Sequence, residues 1–359
     1  MTTFNIISEK IHAGERLDFD DAMALYNSND LLAIGKLAAL VNQRLNGDLV
    51  YYNINRHINP TNICVNNCTF CAFSRRPEAG DAYTFKEEEM VRRAVAAAKQ
   101  GATEVHLVGG LHPDLSFDFY LDLLRAITKA APDLHIKAFT AVEIDWFARI
   151  SGLTVQAVLQ QLMEAGLGSM PGGGAEILVE DVRQQICPEK ISGKQWLDIH
   201  RIAHQSGLKT NSTMLYGHLE SYADRVRHMQ LIRELQDETG GFQVFIPLAW
   251  QPENSPLKLD TKGTCGLDDL KTLAIARLFL DNIQHLKAYW VMLGEKIAQV
   301  ALAFGVDDLD GTVVEEKIGH DAGALSPQSL SRERITDLIC KAGKKPVERD
   351  TLYNVVNRS

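Results

Sequence analysis

What this chain is short of narrows it first. Six cysteines in 359 residues, three of them clustered, do not make the dispersed, even framework of a small secreted disulfide protein. No apolar run approaches the roughly 20 residues that span a bilayer. Met1 to Lys10 lack the basic-then-apolar order of a secretory signal. Positive charge is in deficit: 37 Lys and Arg against 46 Asp and Glu leave a net −9, with no dense basic stripe. That argues against a phosphate-backbone partner. No Ser/Gly-rich linker or low-complexity segment divides the chain. The expectation is a cytoplasmic protein in a reducing compartment, with neither membrane nor nucleic acid as partner.

What remains is ordinary globular material, 45% hydrophobic and 23% charged. Residues 1–50 read as a helical extension packed on the main body. Leu17 to Tyr26 and Asp30 to Leu45 carry helical apolar spacing, broken by a cap at Ser28-Asn29-Asp30. From Val50 on, β-prone runs alternate with longer helical ones. The strands are expected at Tyr51–Ile58, Glu104–Val108, His135–Phe139, Leu167–Met170, Lys209–Leu215, Phe242–Leu248, Leu286–Met292 and, weakly, Asp310–Val314. Helices are expected at Lys86–Gln100, Phe117–Ala131, Thr154–Ala165, Gly193–Ser206, Tyr222–Glu238, Leu267–Asn282 and Leu293–Ala303. Strict βα alternation over about eight units predicts an α/β fold, a (β/α)8 TIM-type barrel over 51–345 with an N-terminal helical cover and a tail at 346–359. A doubly wound open sheet shows the same alternation. In a barrel the loops after the strands share one mouth, and the polar or Gly-rich segments fall there.

The most informative word is Cys64-Val65-Asn66-Asn67-Cys68-Thr69-Phe70-Cys71. C-x3-C-x2-C puts three thiols on one loop, and the next cysteine, Cys187, lies more than a hundred residues on. A structural zinc site needs four protein ligands. Three thiolates suit a [4Fe–4S] cube whose fourth iron takes a ligand that is not protein. The spacing, with Phe70 before the last cysteine, resembles the cluster motif of the radical S-adenosylmethionine (radical SAM) superfamily.

That resemblance implies Cys64, Cys68 and Cys71 as iron ligands and S-adenosylmethionine on the open iron. It implies one-electron cleavage to a 5′-deoxyadenosyl radical, Phe70 beside the adenine, and Gly109-Gly110 presenting backbone to the methionine amino group. Asn55 to Cys64, then Cys71-Ala72-Phe73, resemble the branch acting in the futalosine route to menaquinone and in deazaflavin synthesis. Ser169 to Leu178 is shared within it. Phe245 to Asn254 and Asp308 to Ile318 resemble the aminofutalosine synthases, and the likeness runs from about residue 50 to 325. Membership implies a transferase that consumes S-adenosylmethionine. Its adenosyl radical adds to the enolpyruvyl double bond of 3-[(1-carboxyvinyl)oxy]benzoate, and rearrangement with loss of bicarbonate or CO2 gives 6-amino-6-deoxyfutalosine. A flavodoxin or ferredoxin is the expected electron donor.

Several residues are candidates for the rest of the site. Gly172-Gly173-Gly174, read as leading into a short helix, offers N–H groups to a substrate or cofactor carboxylate, or is a flexible connection. Arg183 either pairs with a cofactor carboxylate or is solvated on a helix surface. Glu143 accepts from cofactor hydroxyl or amino groups and serves catalysis, or pairs with Lys137 or Arg149. His218 binds substrate or moves a proton, or only packs a turn. Asp310 is a further substrate-binding candidate. His112 reads as a turn residue, His320 stays open, and Met214 packs the barrel wall. Cys187, Cys265 and Cys340 read as ordinary thiols. The rival readings are cyclic dehypoxanthine futalosine synthase, a deazaflavin synthase subunit and, from another class, an iron–sulfur electron carrier.

Overall fold

The computed structural model describes residues 3–260 and 263–357. The first expected strand is two: β1 (Leu49–Asn53) and β2 (Asn55–Ile58), separated by Ile54. There follow β3 (Glu104–Leu107), β4 (His135–Ala138), β5 (Ser169–Met170), β6 (Lys209–Tyr216), β7 (Phe242–Ala249) and β8 (His285–Leu286). β2 to β8 pair in chain order, all parallel, in one seven-stranded sheet. With helices between successive strands, this is the curled sheet of a partial TIM-type barrel.

The eighth strand corrects the expected closed ladder. β9 (Asp308–Gly311) starts two residues early and lies in a three-stranded sheet of order β10-β1-β9, where β10 is Lys345–Glu348. Only isolated bridges, Lys287 with Asp308 and Arg56 with Val314, join this segment to the two edges of the large sheet. The cause is local. Asp310, Val313 and Glu315 have φ of 65°, 46° and 63°, left-handed values that a continuous strand does not hold. The strand expected at Leu286–Met292 likewise shrinks to β8, because a helix begins at Trp290.

The expected helices are present to within a few residues, and their starts explain why. Ser116, Thr154, Ser192 and Ser221 each accept from a backbone N–H in the first turn. Three helices lie outside the expected set, Ala141–Ser151, Ile318–Asp321 and Arg332–Lys341. The first is stopped by Gly152 in the left-handed region, only three residues before the next helix begins.

The N-terminal segment forms Thr3–Ala13, Phe19–Asn27 and Leu31–Asn46, the last capped by Asp30. Leu31–Asn46 lies against Gly266–Phe279, and Gly35 meets the Phe304 ring where no side chain fits. Arg16 joins this segment to Asp237 and Asp281 (2.5 and 2.8 Å). The tail does not hang free: β10 adds to β1, and Arg349 reaches Asp308 at 2.6 Å. Arg277 meets the adjoining Asp307 at 2.6 Å. All four of these side chains are at most 1% exposed. Among the described residues, no helix is long and apolar enough to cross a membrane.

Removing one partner of such a pair strands the other charge in the interior. Arg349→Met should therefore lower unfolding free energy by about 3–5 kcal/mol, read from the denaturation midpoint. A shift under about 1 kcal/mol would mean that Tyr353, which donates to Asp308 at 2.8 Å, suffices.

Candidate active site at the barrel mouth

A cavity of about 300 Å³ lies at the C-terminal ends of the strands. Cys64, Cys68 and Cys71 line one wall with Phe70. Their loop is fixed from several sides. Val65 N–H donates to Leu111 O at 2.9 Å, Cys64 N–H to Arg75 O at 3.0 Å, and Thr69 N–H to Ile186 O at 2.9 Å. Arg76 holds the carbonyls of Cys64 and Val65 at 3.0 and 2.9 Å. Gly110 seats the loop: a Cβ there would collide with the Ile63 carbonyl and approach Cys64 Cβ at 3.1 Å. Burial pushes the Cys64 thiol up and the Cys68 thiol up to about 12. Such thiols ionise when a metal cation takes them. The donor set, three half-buried thiols on one rigid loop, fits a [4Fe–4S] cluster.

Beside it stands Glu143, 5% exposed. Its carboxylate accepts from Thr140 N–H (2.7 Å), Thr140 Oγ–H (2.8 Å) and Gly109 N–H (3.1 Å). It caps helix Ala141–Ser151 while facing the cavity. It pairs with neither expected cation, since Lys137 binds Glu104 and Arg149 binds Asp145. Burial outweighs the three donors and pushes its pKa up to about 7. Gly110 N–H is also used internally, on Thr61 O at 2.9 Å. What the Gly109-Gly110 turn offers a ligand is therefore its carbonyl side.

The structure corrects three expected roles. Arg183, 1% exposed, does not line the cavity; its guanidinium binds the carbonyls of Gly174, Ala175, Ile177 and Ile191 and so braces a loop. His218 is turned away too. Its Nδ1 accepts from Leu219 N–H at 2.7 Å, its Nε2 faces Leu215 O at 3.1 Å, and burial pushes its pKa down. It is a neutral turn residue. The Gly172-Gly173-Gly174 run lines the cavity but starts no helix, since the next begins at Glu180. Gly172 presses on β6, where a Cβ would stand 2.7 Å from Ser212, and its carbonyl accepts from Thr213 Oγ at 2.6 Å. His112 is a turn residue, its Nδ1 accepting from Asp114 N–H at 3.1 Å. Asp310 lines the cavity, paired with Lys287 at 3.0 Å.

Sequence reading passed over the cavity floor. Lys137 and Glu104 form a pair at 2.7 Å, and His57 stacks obliquely on His106 at 4.6 Å. His57, His106 and Lys137 are in register across β2, β3 and β4. The available signal was charge at alternate positions, Glu104/His106 and His135/Lys137, in strands where buried parallel sheets are apolar. Also missed was Lys190, which binds Glu176 at 2.5 Å and sits 5.1 Å from the Phe70 ring.

Two outcomes follow from this geometry. Gly110→Ala should displace the cysteine loop and weaken iron retention on the order of 10-fold, with circular dichroism unchanged; full iron content would refute the packing role. Glu143 binds its proton more tightly folded (about 7) than at an ordinary 4.5. The folded state thus holds more protons between those values, and ligand-free protein should lose stability as pH rises through that window. Glu143→Gln should flatten that slope in thermal melts; an unchanged slope would assign the proton elsewhere.

Comparison with known proteins agrees with this geometry. Residues 58–232 match the Radical SAM superfamily and 239–359 the CofH/MqnC C-terminal region. The chain is 47% identical to the aminodeoxyfutalosine synthase of Streptomyces coelicolor, over 98% of this chain and 93% of that one. It is also 47% identical to the aminodeoxyfutalosine synthase of Thermus thermophilus, over 98% and 95%. A 5-amino-6-(D-ribitylamino)uracil–L-tyrosine 4-hydroxyphenyl transferase of Methanopyrus kandleri is 41% identical over 93% and 91%. In fold the chain is similar to methylornithine synthase, with a TM-score of 0.75, 17% identity and 95% and 97% coverage. The chain belongs to the radical SAM superfamily, in the group that contains the aminodeoxyfutalosine synthases.

Proposed function

We propose that this enzyme is an aminodeoxyfutalosine synthase that joins the 5′-deoxyadenosyl group of S-adenosylmethionine to 3-[(1-carboxyvinyl)oxy]benzoate, giving 6-amino-6-deoxyfutalosine with loss of bicarbonate or CO2. The observation that carries the reading is where two sequence words fall. Ile246, Leu248, Trp250 and Gln251 from one, and Asp310, Glu316 and Ile318 from the other, line the same cavity as the three cysteines. The residues that set this chain toward the aminofutalosine synthases are thus those a substrate meets.

When bound, the cluster with S-adenosylmethionine supplies the 5′-deoxyadenosyl radical by one-electron reduction, from a flavodoxin- or ferredoxin-type donor. Cys64, Cys68 and Cys71 would hold the cluster. Phe70 would offer a ring to the adenine, and the Gly109-Gly110 turn would present backbone to the amino group. Glu143 accepts from cofactor hydroxyl or amino groups, and Gly172, Gly173 and Gly174 let ligand approach the backbone closely. Val108, Ile246, Leu248 and Trp250 exclude water from a site where a radical must not be quenched. A reducing cytoplasm suits the open-iron cluster.

The test is anaerobic. Protein with its cluster reconstituted and reduced is given S-adenosylmethionine and the enolpyruvyl benzoate, and products are read by mass spectrometry. An adenine-bearing adduct lacking one carboxyl carbon is expected, and Cys68→Ala should abolish it. Free 5′-deoxyadenosine with no adduct would discard this substrate in favour of hydrogen abstraction, as in cyclic dehypoxanthine futalosine synthase. No cleavage at all would restore the electron-carrier reading.

A further inference from the structure

We propose that the floor of the cavity is a carboxylate subsite, in which Lys137 and Lys287 with His57 bind the ring carboxylate of the aryl substrate, so that the enolpyruvyl end faces the cysteine loop. This rests on the substrate reading above and adds an orientation to it.

The floor carries two ammonium groups, Lys137 and Lys287, beside the carboxylates of Glu104, Asp310 and Glu316. Lys137 and Lys287 are each 3% exposed, yet both line the cavity with His57 and Asp310. Lys137 lies within β4 and Lys287 one residue past β8, whereas the cysteine loop begins six residues beyond β2. The two ammonium groups therefore stand deep and the thiols stand at the mouth.

Each ammonium has more donors than its ion pair uses. Lys137 gives one to Glu104 at 2.7 Å, and Lys287 gives one to Asp310 at 3.0 Å. Both carboxylates are also held from behind, Glu104 by Asn53 and Asp310 by Asn55, each at 3.4 Å. Burial and the nearby Lys287 ammonium push Lys137 down from its ordinary value in spite of Glu104. His57 Nε2 is fully buried and has no partner. An entering carboxylate supplies acceptors to all three groups and lowers the repulsion between the lysines. Val108, Leu215, Ile246 and Leu248 add apolar lining to the same cavity. An anion on an apolar stem is the ligand class this arrangement takes. Of the two carboxylates of the substrate, the ring one lies farther from the double bond that reacts.

The experiment compares two ligands on cluster-loaded, unreduced protein by isothermal titration calorimetry. They are 3-[(1-carboxyvinyl)oxy]benzoate and 2-phenoxyacrylate, which lacks only the ring carboxylate. Wild type should bind the first more tightly by about 10-fold or more. Two charge-balanced variants keep the interior neutral: Lys287→Met with Asp310→Asn, and Lys137→Met with Glu104→Gln. Asn tolerates the left-handed backbone of Asp310. Each variant should lose most of the preference between the two ligands. Equal binding of both ligands by wild type, which requires no variant to fold, would overturn the subsite alone. So would a preference that survives in both variants. If wild type binds neither ligand, the substrate reading falls and takes the subsite with it.

Discussion

The placement of β9 is the constraint on which the rest of this structure depends. Beyond its pairing with β1, it touches the edges of the main sheet only through single bridges. Two adjacent aspartates add to that hold. Asp307 is bound by Arg277 from the helix Gly266–Phe279, and Asp308 by Arg349 from the end of the chain. His285 adds a further contact to Asp307 at 2.6 Å. In a medium where an unpaired charge costs several kcal/mol, these pairs admit one arrangement. That arrangement brings Asp310, Glu316 and Ile318 into the cavity. The N-terminal helices, the tail and the site are therefore linked mechanically.

The cysteine loop depends on a second contact of the same kind, made by backbone rather than charge. Gly110 gives up its side chain so that the Ile63–Cys64 backbone can lie on the turn after β3. The same turn gives Gly109 N–H to Glu143, whose other oxygen caps the next helix. Cluster loop, cofactor-facing turn and buried carboxylate thus form one rigid unit, the preorganisation that radical chemistry in a dry pocket needs.

Much of this was legible in the residue order. The strands alternate with amphipathic helices whose starts carry Ser or Thr caps, and C-x3-C-x2-C speaks of its own chemistry. Where reading failed, the cause was the direction a side chain takes, which residue order does not fix. Residue order does not tell that Arg183 turns inward onto three carbonyls of the loop it follows and onto Ile191 beyond it. His218 lies beside a strand end, as a catalytic histidine might in any barrel, but its ring is consumed by Leu215 and Leu219. The glycine run looked like a helix entrance, whereas Gly172 packs on β6 and Gly173 and Gly174 lie against Thr140 and Val142.

By itself the sequence determined the fold class, the three-thiol loop and the branch of chemistry, because periodicity, caps and cysteine spacing are short-range properties. Tertiary structure alone decided which charges meet. Glu104 and Lys137 are ordinary surface residues until neighbouring strands bring them together inside the barrel. Lys287 and Asp310 pair only because β9 is pinned where it is. A buried charge acquires meaning from its partner, and partners that are distant in the chain are chosen by packing.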